Sequence, residues 1–278
     1  MNKGISTKRR VKCALLNIIM YISAGLICLM LIGIIGYIFK RGLSYISFEF
    51  LSSKPSLIRG TEGILPNILN TLYIIFITMI FVLPIGTGAA IYLTEYTENK
   101  KIAGMIEFAA ETLSGIPSII YGLSGMLIFV QFFSLGTSIL AGAFTLVIMT
   151  LPTIIRTTQE SLKAVPDGYR EGALALGSGK WYMIRTVVLP SAIDGIVTGC
   201  ILAVGRIVGE SAALLFTAGM ANEVLSIFEA VKPGNAGSTL TGQFDTAFAI
   251  AAILLILTFV INLSAKCAAK FLKRKRGK

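Results

Sequence analysis

Residues 171–190 read Glu171-Gly172-Ala173-Leu174-Ala175-Leu176-Gly177-Ser178-Gly179-Lys180-Trp181-Tyr182-Met183-Ile184-Arg185-Thr186-Val187-Val188-Leu189-Pro190. Just upstream, Pro166-Asp167 is a helix-start signal, and Gly177 is a stop signal. The spacing therefore predicts a helix of about ten residues, roughly 15 Å long. On it Tyr169, Ala173 and Leu176 share one face at i, i+4 and i+7. Ala173 and Gly177 keep one face thin, and Arg170 and Glu171 put charge at its rim. Two readings fit: a helix that docks in a groove on a partner, or one that lies on a membrane surface with Trp181 and Tyr182 as interfacial anchors.

The flanking sequence names the solvent. Of 278 residues 55% are hydrophobic and 14% charged, against about 25% charged in a soluble domain. Six apolar runs are long enough to cross a bilayer: Ala14–Phe39, Ile68–Leu93, Leu113–Phe133, Ile139–Thr157, Ser191–Ala218 and Ala247–Ala269. The third and fourth hold Pro117 and Pro152, which membrane helices tolerate better than soluble ones do. With the amino terminus inside, 19 of the 25 Lys and Arg fall on inner segments and 5 on outer ones. That bias puts both termini in the cytoplasm. The expected fold is an all-α polytopic membrane bundle. Its parts are a basic N-terminus (1–13), a first span (14–39), an outer loop (40–67), a core (68–270) containing the inner loop 158–190, and a basic tail (271–278).

Composition also excludes chemistry. No histidine is present, which removes His-based metal ligation, Ser-His-Asp catalysis and His proton relays. Cys13, Cys28, Cys200 and Cys267 lie too far apart for a disulfide framework or a zinc site. The net charge of +11 sits in the terminal basic runs without interleaved aromatics, as topology control and lipid attraction require and nucleic-acid binding does not. The basic start mimics a signal peptide, but the run to Phe39 is too long for one and reads as a retained helix. Gly177-Ser178-Gly179-Lys180 resembles a phosphate-binding loop, yet Leu174 stands where the first glycine belongs and Trp181 where Ser or Thr does. No cofactor or metal is expected on this chain.

Arg206 and Glu210 lie inside the fifth apolar run. Ionisable groups at membrane depth are costly and so point to function. As one helix, this run would align Gly195, Gly199, Ala203, Arg206, Glu210, Ala213 and Thr217 in a small or polar stripe facing the bundle interior or a cavity. An intrahelical ion pair is the structural alternative, although Arg before Glu is the weaker order. The arginine fork suits a tetrahedral oxyanion. Glu210 would accept a hydrogen bond from an anion that keeps a proton, as hydrogen phosphate does and sulfate does not. Ser191 and Asp194 form a Ser-x-x-Asp pattern after Pro190, expected to cap the start of this helix.

Two resemblances sharpen this reading. Glu171 to Gly177, continuing to Leu189-Pro190, resembles the EAA loop of ABC importer permeases, with Gly172 for an Ala and Val187 for an Ile. It implies a type I, MetI-like permease fold in which Tyr169, Arg170, Glu171, Ala173, Leu176, Gly177, Leu189 and Pro190 couple to a cytoplasmic ATPase. Residues 205–218, Gly-Arg-Ile-Val-Gly-Glu-Ser-Ala-Ala-Leu-Leu-Phe-Thr-Ala, are similar to the matching run of the PstA family of phosphate permeases. So are Leu113–Ser118 with Tyr121-Gly122, Gly63–Pro66, and Tyr92-Leu93-Thr94-Glu95-Tyr96. This resemblance implies a phosphate pathway that includes Arg206, with Glu210, Ser211, Thr217, Ser114, Ser118 and Tyr121 as further candidates. It also implies partners: a PstC-like permease, two PstB-like ATPases that use ATP and Mg, and an extracytoplasmic phosphate-binding protein. A permease for molybdate, sulfate or phosphonate, or a phosphate-sensing scaffold, is the alternative.

Overall fold

A computed structural model describes residues 7–54, 63–219 and 247–276. Among these residues every regular element is helical. Among the described residues five helices are long and apolar enough to span a membrane, or six when one bent pair counts as a single span. Residues 220–246 and part of the expected outer loop at 40–67 lie outside the described residues.

Two compact units are present, Met1–Ile46 with Gly242–Ile253, and Ser47–Thr241 with Leu254–Lys278. In the first, α1 (Thr7–Gly42) is apolar around its circumference and exposed along its membrane-length stretch, as a lipid-facing helix is. Tyr37 meets Phe248 edge-on at 5.5 Å, and Gly42 abuts the Phe248 carbonyl, a place that has no room for a Cβ.

The second unit is built on α2 (Leu65–Ile91, extended by a π-turn to Tyr96) and α5 (Ile139–Lys163). Between them lie α3 (Lys100–Ser114) and α4 (Ser118–Gly125, extended to Phe132). The most buried helix is α5, with Ile139, Leu146, Met149, Ile154 and Leu162 all shielded from solvent. Small residues set the crossings, as expected where lipid supplies no hydrophobic drive. Gly86 meets Ile154, Gly125 meets Thr145, and Gly142 meets Leu214 and Ala218.

Two apolar runs differ from the single helices expected. The third is broken: α3 and α4 meet at 98° across Gly115-Ile116-Pro117. Pro117 disfavours helix at Ile116 and cannot donate to the Leu113 carbonyl. That carbonyl accepts instead from the Ile116 amide at 3.1 Å and from the Tyr121 hydroxyl at 2.7 Å, a bond that reaches across the bend. By contrast, Pro152 is accommodated within α5.

The fifth run starts earlier and stops sooner than expected. Helix α6 (Asp167–Ala175) precedes it, and α7 runs unbroken from Lys180 to Val208. Ser191 is thus interior to α7 and caps nothing. Its hydroxyl donates to the Val187 carbonyl at 2.7 Å. A π-turn at Ile184–Val188 precedes Pro190 and closes with the Leu189 amide on the Ile184 carbonyl. After Val208 the chain leaves helix at Gly209-Glu210-Ser211 and re-enters it as the short α8 (Ala212–Thr217). The last helix, α9, spans Ala247–Arg276.

Candidate transport site and docking face

Helix α6 closes with two bonds, from the Ser178 amide to the Ala173 carbonyl at 3.2 Å and from the Gly177 amide to the Leu174 carbonyl at 2.9 Å. Gly177 takes the left-handed conformation this closure needs, with φ +79°. Tyr169, Glu171 and Leu176 are exposed, Leu176 to 90%. Ala173 turns inward onto a cluster of Leu162, Val165, Met183, Ile184 and Val188. Consequently the thin outer positions are Gly168 and Gly172, whose missing side chains would meet nothing, and not Ala173. Leu189 and Pro190 are half-buried within α7.

Arg170 is the larger correction. Expected at the rim, its side chain is only 16% exposed and pairs with Glu95, which is 5% exposed. Its Nη2 donates to Glu95 Oε1 at 2.9 Å and to the Leu162 carbonyl at 2.8 Å. Nη1 donates to the Val165 carbonyl at 2.7 Å and to Asp167 Oδ1 at 3.0 Å. A neighbouring tie is Lys180, whose Nζ lies 5.0 Å from the centre of the Tyr96 ring.

Within the membrane, the break after Val208 separates the two charges that one helix would align. Among the described residues Arg206 and Glu210 form no ion pair. Glu210 Oε1 accepts from the Ala213 amide at 3.1 Å and so caps α8. Glu210 and Ser211 also line a cavity of about 180 Å³ with Thr71, Ile74, Leu214 and Leu254. Arg206 is half-buried on α7. The stripe of Gly195, Gly199 and Ala203 faces protein: Gly195 abuts Ser161 and Gly199 abuts Thr157, both on α5.

The remaining candidates scatter. Thr217 is fully buried, and its hydroxyl donates to the Ala213 carbonyl. Tyr121 is buried at the α3–α4 bend, and Ser118 is half-buried in the first turn of α4. Ser114 is exposed and lines a separate cavity of about 390 Å³ with Glu107, Glu111, Arg156, Glu160 and Lys163. There Arg156 pairs with Glu111 at 3.4 Å and with Glu160 at 3.2 Å, and Lys163 pairs with Glu107 at 3.1 Å. Sequence reading assigned this cluster no role. The Arg156/Glu160 spacing was its one visible sign, because Glu107 and Glu111 lie more than forty residues away. Among the described residues no group of acidic and Cys side chains is arranged to hold a metal, and the described cysteines are free.

Residues 82–278 match the family model described as the binding-protein-dependent transport system inner membrane component. The chain belongs to that family. As such it is a membrane permease subunit of ABC transporters, located in the cytoplasmic membrane. Among relatives of this permease, the probable ABC transporter permease protein YqgI of Bacillus subtilis is 37% identical, covering 91% of this chain and 93% of its own. The phosphate transport system permease protein PstA of Haemophilus influenzae is 31% identical, covering 87% and 88%. In fold, the permease is similar to the inward-facing MetNI methionine ABC transporter, with TM-score 0.56 at 19% identity over 77% of this chain and 94% of that one.

Proposed function

We propose that this permease forms one half of the membrane pathway of an ATP-driven phosphate importer. The observation that carries the reading is the likeness to PstA phosphate permeases over nearly the whole chain. The local chemistry agrees. Arg206 is an arginine at membrane depth that no described carboxylate neutralises, next to the helix break at Gly209-Glu210-Ser211. A guanidinium there holds a tetrahedral oxyanion through parallel hydrogen bonds. Glu210 holds the start of α8 with one oxygen, and the other is left to accept from the proton that hydrogen phosphate carries.

The energy enters through partners. Helix α6 offers Tyr169, Leu176 and the open Gly168/Gly172 surface to a groove on a cytoplasmic ATPase, which binds ATP and Mg. A PstC-like permease, two PstB-like ATPases and an extracytoplasmic phosphate-binding protein complete the assembly. Uptake of labelled phosphate, sulfate and molybdate into vesicles holding the full complex tests the reading. ATP-dependent uptake of phosphate alone is expected. Equal uptake of phosphate and sulfate overturns the assigned cargo.

A further inference from the structure

The Tyr92–Tyr96 turn has so far no part in transport, although it holds the most buried carboxylate of the described ion pairs. Taking Arg170 and Glu95 out of water is costly, and well-packed apolar residues would fill the same space without that cost. What the pair adds is direction. The guanidinium fork binds Glu95 through Nη2 and through Nε, at 2.9 and 3.2 Å, while its other donors reach the Leu162 and Val165 carbonyls. One side chain therefore joins the docking helix, the inner end of α2 and the inner end of α5.

Beyond Glu95, α2 is one continuous span, with Pro84 inside it. It continues from Tyr96 back to Leu65, packed along α5 through Gly86 against Ile154 and through the Thr78 hydroxyl on the Ala143 carbonyl. At its far end Thr71 and Ile74 form a wall of the Glu210 cavity. From Glu95 to Thr71 is 24 residues of helix, roughly 36 Å. A displacement of α6 thus has a route to the Glu210 cavity that does not pass through α7.

We propose that Glu95 is a positioning residue that ties the docking helix to α2, so that ATPase movement reaches the Glu210 cavity along this second span. The proposal rests on α6 being the surface that docks the ATPase. Its test is Glu95→Gln in the full complex, reconstituted in vesicles with labelled phosphate. The complex assembles and its basal ATP hydrolysis is unchanged, but phosphate imported per ATP falls by about fivefold or more. Glu95→Asp, which keeps the charge, recovers most of that ratio. An unchanged ratio in Glu95→Gln overturns the proposal. Failure of the variant complex to assemble overturns it too, because the pair would then serve folding alone. Leu176→Arg separates the underlying reading: it is expected to abolish co-purification of the ATPase, and retention of the ATPase would sink the docking assignment itself.

Discussion

The chain holds two arginines in contrasting settings, Arg170 at the cytoplasmic end and Arg206 within the membrane. Arg170 is saturated, with one carboxylate behind it, another beside it, and two backbone carbonyls on its remaining donors. Arg206, at greater membrane depth, has no such shell among the described residues, and the glutamate four residues on turns to cap α8. A saturated buried charge fixes geometry. Under the proposed function, the guanidinium without such a shell, Arg206, is the one that would receive a ligand.

Substitutions that exchange these roles would break the contrast. Arg170→Gln strands Glu95 without its partner and is expected to cost about 3–5 kcal/mol of stability. Thermal unfolding of the purified complex measures this. Arg206→Gln is expected to leave the unfolding midpoint near that of the native protein. It should lower phosphate uptake by roughly 10- to 100-fold, as loss of a charged hydrogen bond worth about 1.5–3 kcal/mol requires. Equal destabilisation by the two substitutions would erase the distinction. Smaller effects probe the frame that separates the sites. Gly199→Val forces a side chain onto Thr157 and should cost about 1–3 kcal/mol at the α5–α7 crossing. Tyr121→Phe removes the hydroxyl holding the Leu113 carbonyl, for about 1 kcal/mol in the same unfolding assay. Ser191→Ala should change stability by less than about 0.5 kcal/mol, where loss of a true N-cap would cost about 1.

The sequence was informative where the physics is local. Apolar runs marked the spans because a bilayer demands unbroken hydrophobic length, and Gly177 marked the end of α6 because few residues tolerate its backbone angles. The breaks at 115–117 and 209–211 escaped, since hydropathy does not register a change of direction within an apolar run. Gly115 and Pro117 were the available signals at the first. At the second, the charged pattern favoured a continuous helix, and only the Gly209-Glu210-Ser211 triplet, poor in helix formers, spoke against it. The inward turn of Arg170 was not readable, because its partner Glu95 lies 75 residues away. The Ser191 cap failed for a related reason: the pattern fits any helix start, and this helix had already begun at Lys180.

The exposure of Leu176 has a consequence for the life of the protein in the cell. Its side chain is 90% exposed at the tip of a helix whose closing turn holds it there, with Tyr169, Trp181 and Tyr182 also exposed nearby in sequence. Such a surface is tolerable only when covered. On the docking proposed above, a copy synthesised without its ATPase would carry an adhesive tip into a crowded cytoplasm, where chaperones and proteases recognise exposed apolar groups. The same helix would then tie the abundance of the permease to the supply of its partner.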